Sequence, residues 1–358
     1  MSTQAKRVAA LRQALPPHID AVLVTHEISQ RYLSDFPFTD GYLLITRQRA
    51  FLLTDARYIE AVEAKVTDTF EILLFAGNAL VQIDGLLTDC GATVLGYEDN
   101  HLSCAALSNL QEKLSTRTLT PIGNALDDLR IRKDASEIDA IVRAQRIAES
   151  ALDALLGRID IAWTEIRLAA ELEYEMRIRG AEGFAFETIA VSGSASSLPH
   201  GVPRDLPLEK GFLTMDFGAV CDGYRSDMTR TVCLGRADTQ MKKIYQTVLD
   251  AQLAGLACLG PQVDCGRADA VARAIIESEG YGKYFGHSLG HGVGLDIHEE
   301  PRLSKKATGT LLAPGHVVTV EPGIYLPGKY GVRIEDMAVI TENGYRNLTL
   351  APKELLEI

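Results

Sequence analysis

The chain lacks any pair of cysteines at Cys-x-x-Cys spacing. Its six cysteines, Cys90, Cys104, Cys221, Cys233, Cys258 and Cys265, are scattered over 358 residues. Thiolate zinc motifs and redox dithiols are thereby excluded. Disulfide frameworks belong to short secreted chains, so free, mostly buried thiols are expected. No apolar run approaches the roughly 18 residues that a membrane-spanning helix needs. The start, Met1-Ser2-Thr3-Gln4-Ala5-Lys6, leads into an amphipathic helix and not into a signal-peptide core. Positive charge is in deficit, with a net charge of −12. That balance argues against nucleic-acid partners and against anionic membranes. A cytoplasmic, reducing location is the expectation.

Several catalytic signatures are missing as well. No Walker loop occurs, and Gly290, Gly292 and Gly294 have the wrong interval for a dinucleotide fingerprint. His287-Ser288-Leu289-Gly290-His291 lacks the glutamate of a zincin helix. No Gly-x-Ser-x-Gly elbow is expected either, so serine-hydrolase and P-loop readings are set aside.

What is present is an ordinary globular composition, 46% apolar and 23% charged, in a chain long enough for two domains. Residues 1–127 alternate helical and strand patterns: a helix near Ala5–Leu15, then strands at Ala21–Val24, Tyr42–Thr46, Ala50–Thr54 and Leu95–Tyr97. An α/β domain with some parallel pairing follows. The charged stretch Asp127 to Asp134 marks a boundary, and residues 128–358 form the second domain. There Ser136-Glu137-Ile138-Asp139 suggests a capping box. Helices are predicted at 164–180, 239–259 and 267–279, with Gly180 and Gly280 as closing glycines. Each helix pair precedes strands carrying a histidine (His200, His298) and then a carboxylate hairpin. This is an internal repeat of two helix–helix–strand halves, able to pack as pseudo-twofold mates in an α+β domain.

The hairpins carry the chemistry. A turn at Asp222-Gly223 places Asp216 opposite Thr229, with Asp227 one diagonal step away on the same face. His316–Glu321 reads as a strand, Pro322–Lys329 as a Gly/Pro-rich connection and Gly331–Ile340 as the return strand. Folding about Gly328 sets Glu321 opposite Glu335. Two carboxylates so close in a dry interior repel each other unless cations lie between them. His291 stands among glycines that allow close backbone approach. Four carboxylates and one imidazole, with no cysteine, suit two adjacent divalent ions: manganese first, with cobalt or zinc as alternatives.

These residues resemble the pita-bread metallopeptidases: methionine aminopeptidase, aminopeptidase P and prolidase. The resemblance rests on Leu198-Pro199-His200-Gly201, Met215-Asp216-Phe217-Gly218, Ser226-Asp227-Met228-Thr229-Arg230-Thr231, Gly290-His291-Gly292, His298-Glu299, Glu321-Pro322-Gly323 and Arg333-Ile334-Glu335-Asp336. The amino-terminal domain resembles the creatinase-type domain, which methionine aminopeptidases usually lack. The resemblance implies that Asp216 holds one metal and that His291 and Glu321 hold the other. Asp227 and Glu335 would bridge both. His200 and His298 would contact the scissile carbonyl and the leaving nitrogen, and Glu321 would also accept the proton of the attacking water. Arg333 and Tyr325 would support Asp216 and the proton path. His287 would face substrate, and Arg302 matches an arginine linked to carboxylate binding in similar prolidases and shared by some similar aminopeptidases, so it does not decide between the two.

The leading expectation is an Xaa-Pro aminopeptidase acting on proline-containing peptides. The alternative is an Xaa-Pro dipeptidase. A metal-free creatinase-like enzyme and a non-catalytic relative fit poorly, because all five ligand positions are intact. The resemblance also implies a homodimer, with the amino-terminal domain of one subunit capping its partner's site.

Overall fold

The computed structural model describes residues 2–66, 68–75 and 77–358. The chain divides into two compact units, Met1–Arg130 and Ile131–Ile358.

The first unit is built on one six-stranded sheet. Its strands are β1 (Ala21–Val24), β2 (Gly41–Thr46), β3 (Ala50–Thr54), β4 (Glu71–Leu74), β5 (Val94–Tyr97) and β6 (Thr118–Pro121). In space they run β4-β3-β2-β1-β5-β6. The meander β1-β2-β3 is antiparallel, whereas β3–β4, β1–β5 and β5–β6 are parallel. Every residue of β1 is buried, as the unbroken Ala-Val-Leu-Val run of a covered central strand requires. The helices are α1 (Thr3–Ala14), α2 (Glu27–Ser34), α3 (Ile59–Lys65), α4 (Ala79–Asp89), α5 (Cys104–Lys113) and α6 (Ala125–Ile131). Helix α4 sets Leu80, Ile83 and Leu87 on one face, where they join Leu23, Leu44, Phe51 and Leu95 in the core.

The second unit repeats a pattern. Helices α7 (Ala135–Leu156) and α8 (Glu165–Ile178) precede the first set of strands, and α9 (Thr239–Cys258) and α10 (Cys265–Ser278) precede the second. The second helix of each pair has 14 residues, and the copies are offset by 100 positions at both ends. Thr164 caps one through Arg167 N and Asp264 caps the other through Arg267 N. Gly180 and Gly280, at φ 100° and 82°, close them. In both, the next residue donates back into the last turn, Ala181 to Met176 O and Tyr281 to Ile276 O. The capping box of α7 uses Asp134 with Glu137, two residues earlier than the Ser136 start expected from sequence.

The sheets place the ligand candidates. In the first half β8 (Ile189–Ser192), β9 (Gly211–Phe217) and β12 (Met228–Leu234) form the sheet β12-β9-β8. Leu213, Met215 and Phe217 pack with Leu152, Leu168 and Leu172 of the helix pair. Asp216 therefore points from the opposite face. Small strands β7 (Gly183–Phe184), β10 (Ala219–Cys221) and β11 (Tyr224–Arg225) make a separate ribbon. The second half has β13 (Gly290–Gly292), β14 (Glu299–Leu303), β15 (Val317–Val320), β18 (Asp336–Thr341) and β19 (Gly344–Asn347) in the order β14-β13-β15-β18-β19. Strands β16 (Gly323–Leu326) and β17 (Tyr330–Arg333) pair apart. Val318, Val320, Ala338 and Ile340 pack on Ile244, Val248, Ala272 and Ile276 of α9 and α10. Glu321 and Glu335 alternate with these residues and so lie on the other face, toward the first half.

The cysteines are free, as expected, but only Cys233 and Cys265 are buried. Among the described residues no helix is long and apolar enough to cross a membrane.

Candidate metal centre

The aspartate hairpin turns at Asp222 and Gly223, both at positive φ (50° and 79°). Cys221 pairs with Tyr224 and Asp216 with Thr229, in the register expected from sequence. Between these ladders a Cβ at Gly218 would lie 1.9 Å from Ser226 O, so the close crossing demands glycine. Asp227, two residues before Thr229, opens on the same cavity as Asp216.

The glutamate hairpin folds about Gly328, as expected, but it is longer than the sequence suggested. Pro322–Lys329 is not a plain connection, because β16 and β17 continue the pairing with Gly323 opposite Arg333. The β15–β18 ladder keeps the same register, Val320 opposite Asp336. Glu321 and Glu335 sit where the two ladders part. There Glu321 N donates to Leu289 O (2.8 Å) and Glu335 N to Thr229 O (3.1 Å). The break ties each glutamate to a neighbouring segment.

His291 lies in a strand, with no room beside it. A Cβ at Gly290 would meet Thr319 O at 2.0 Å and one at Gly292 would meet Glu300 O at 2.3 Å. The Nδ1–H of His291 donates to the Gly292 carbonyl (3.0 Å). Its Nε2 therefore presents a lone pair, 3.5 Å from Asp227 Oδ2 and 3.4 Å from Glu321 Oε1. Burial drives the imidazole down to about 3, so it is neutral. Burial, then the charges of Asp216 and Glu321, raise the Asp227 carboxyl well above its usual range. Burial, then Asp227, Glu321 and Asp216, do the same to Glu335. Glu321 is pushed up to about 8, chiefly by burial.

Acceptors here face acceptors. Ligand atoms of Asp227, His291 and Glu335 all lie within 4.8 Å of one another. Asp216 Oδ1 is buried and has no hydrogen-bond partner among the described residues. Lone pairs converging in a dry site need cations, and this oxygen-rich set with one imidazole fits hard divalent ions.

A polar chain backs the cluster. Arg333 donates from Nη2 to Asp216 Oδ2 (2.7 Å), from Nε to Thr229 Oγ1 (2.9 Å) and from Nη1 to Tyr325 Oη (2.8 Å). The Tyr325 hydroxyl lies 3.0 Å from His287 Nε2, whose Nδ1 donates to Ser288 O. Burial lowers His287 to about 4 and raises Tyr325 to about 12. The hydroxyl is thus a donor and the imidazole an acceptor. Thr229 Oγ1 passes its own proton to Glu335 Oε2 (2.8 Å).

A cavity of about 690 Å³ opens over this cluster, lined by Asp216, Asp227, His200, His287, His291, His298, Arg302, Glu321, Arg333 and Glu335. Residues 139–342 match the model of metallopeptidase family M24, and residues 7–132 match the creatinase/prolidase N-terminal domain. The chain belongs to metallopeptidase family M24. An Xaa-Pro dipeptidase of Pyrococcus furiosus is 39% identical over 340 residues, 94% of this chain and 95% of its own. The solved Xaa-Pro dipeptidase from Bacillus anthracis superposes with TM-score 0.96 at 39% identity, covering 99% of this chain and 100% of that one. An X-Pro aminopeptidase from Thermotoga maritima gives TM-score 0.91 at 35% identity, covering 95% and 98%. The fold is thus a creatinase-type domain followed along the chain by the pita-bread catalytic domain.

Every site residue expected from sequence meets this M24 cavity except Tyr325, which stands behind it. His200 and His298 occupy a turn and a bend, not strands, and both are exposed at the cavity. The His298 ring packs edge-on against His291, with centroids 4.5 Å apart. Desolvation and Arg302 lower the His298 pKa.

Sequence reasoning missed Thr229, whose hydroxyl accepts from Arg333 and donates to Glu335, although its place opposite Asp216 already marked it. It also missed the buried pair of α10, Asp269 and Arg273. Arg273 donates to the carbonyls of Phe285 and His287, both at 2.8 Å, and Asp269 accepts from Leu289 N (3.1 Å). A pair four residues apart on a helix looks like any surface ion pair in sequence. Finally, Gly286-His287-Ser288-Leu289-Gly290 does match the Gly-x-Ser-x-Gly pattern. The segment runs into strand β13 and no helix follows it, so Ser288 is no nucleophile elbow.

Proposed function

We propose that this chain is an Xaa-Pro dipeptidase, hydrolysing the bond between a first residue and a carboxy-terminal proline with two divalent ions. The likeness to Xaa-Pro dipeptidases supports the choice, and Arg302, which lines the cavity with no hydrogen-bond or ion-pair partner for its side chain among the described residues, agrees with it. A free guanidinium beside the catalytic cluster suits the carboxylate that ends a dipeptide. The dipeptidases from Pyrococcus furiosus and Bacillus anthracis support the same choice over the aminopeptidase favoured from sequence.

Asp216 would hold one ion, His291 and Glu321 the other, with Asp227 and Glu335 between them. When bound, the ions supply Lewis-acid activation of water and of the scissile carbonyl; manganese suits the oxygen-rich set. Glu321, ionised once a cation is bound beside it, would accept the proton of the attacking water. The proline nitrogen carries no N–H and leaves as a secondary amine only once protonated. His200 and His298, exposed at the cavity, would hydrogen-bond the carbonyl oxygen and the leaving nitrogen. Tyr325 and Arg333 hold Asp216 and His287 in fixed orientation.

Hydrolysis of Ala-Pro and Ala-Pro-Ala by manganese-loaded protein tests the choice. Ala-Pro should be cleaved with at least a tenfold higher kcat/KM; faster cleavage of the tripeptide would return the assignment to an aminopeptidase.

A further inference from the structure

One charged group on the cavity wall has no task in the chemistry above. Near the cluster, Asp216 is held by Arg333, Glu335 by Thr229 and Glu321 by Thr319. Glu187 lines the same cavity, is exposed, and has no hydrogen-bond or ion-pair partner among the described residues. Its place relative to the centre follows from the sheet. Ile189 is the cross-strand partner of Asp216, and Glu187 lies two residues before it. That separation is at most about 7 Å along the chain.

A substrate's α-ammonium is one carbon from the scissile carbonyl, too short a link to span that distance, whereas the four-carbon stem of a lysine first residue is long enough to carry its charge toward Glu187. Phe186, Ile189, Val202 and Pro203 line the same cavity and give it an apolar wall. Such a wall packs a methylene stem while the charged head meets a carboxylate.

We propose that Glu187 selects a cationic first residue, so that Lys-Pro and Arg-Pro are the preferred class of substrate. This rests on the dipeptidase reading. With metal-loaded protein, kcat/KM is measured for Lys-Pro, Met-Pro and Glu-Pro in the wild type, Glu187→Gln and Glu187→Lys. The wild type should favour Lys-Pro over Met-Pro about three- to tenfold. High salt should shrink that ratio. It should fall toward one in Glu187→Gln, and Glu187→Lys should favour Glu-Pro. An unchanged ratio in Glu187→Gln, or an equal loss on all three substrates, overturns the proposal. Failure of the dipeptidase reading looks different: the wild type would cut Lys-Pro-Ala and Met-Pro-Ala faster than Lys-Pro and Met-Pro. The ratio is then read on Lys-Pro-Ala and Met-Pro-Ala, with the same two outcomes.

Discussion

Nη2 of Arg333 lies 2.7 Å from Oδ2 of Asp216, although the two residues come from different halves of the catalytic unit. Burial opposes the guanidinium charge, but Tyr325, Asp216 and Glu321 outweigh it and hold its pKa well above the usual value. Replacing Arg333 by methionine should lower kcat/KM by about 10- to 100-fold and weaken metal affinity, because Asp216 loses its orientation. Kinetics and metal titration calorimetry check this. Unchanged affinity with reduced turnover would separate Arg333 from the metal centre.

Tyr325→Phe removes one hydroxyl with little change of volume. The hydroxyl joins Arg333 to His287, so about a tenfold or greater loss of kcat is expected with a Tm shift of only a few degrees. Full activity in the variant would show that the link does nothing for turnover.

Arg273→Met should destabilise the protein by about 3 kcal/mol, since it strands the buried Asp269 carboxylate and frees two carbonyls. Thermal unfolding measures the loss. Activity should fall with it, because the freed segment Phe285 to His291 carries His287 and His291.

Much of this site was legible before any coordinates. Asp222-Gly223 and Gly328 fixed both hairpin registers, because turn residues with positive φ admit few alternatives. Gly180 and Gly280 revealed the repeat for the same reason. The extension of the glutamate hairpin through Gly323–Leu326 was hidden, since two prolines and two glycines between Pro322 and Lys329 read as a loop. The grip of Arg273 on the His287 segment was hidden too, because it depends on side chains meeting backbone across the fold. His200 and His298 looked like strand residues only because strands flank them.

Metal-free protein should show an inverted pH response. Glu321 titrates near 8 in the folded chain against an ordinary value of 4.5. Between those values the folded state binds more protons than the unfolded state, so stability falls as pH rises. The Tm of chelated protein should therefore drop from pH 7 to 8, above the range in which the buried His287, His291 and His316, lowered to about 4, 3 and 4, act in the opposite sense. Saturating manganese should restore it, with the gap widest at pH 8. A constant gap across this range would mean that the buried carboxylates do not carry the metal.

Metal stoichiometry against turnover is the most direct test. Elemental analysis of reconstituted protein should find two divalent ions per chain. Asp227→Ala should hold fewer than two and lose nearly all Xaa-Pro hydrolysis while remaining folded by circular dichroism. A single ion in a fully active wild type, or an Asp227→Ala variant that keeps both ions and its activity, would contradict the dinuclear assignment.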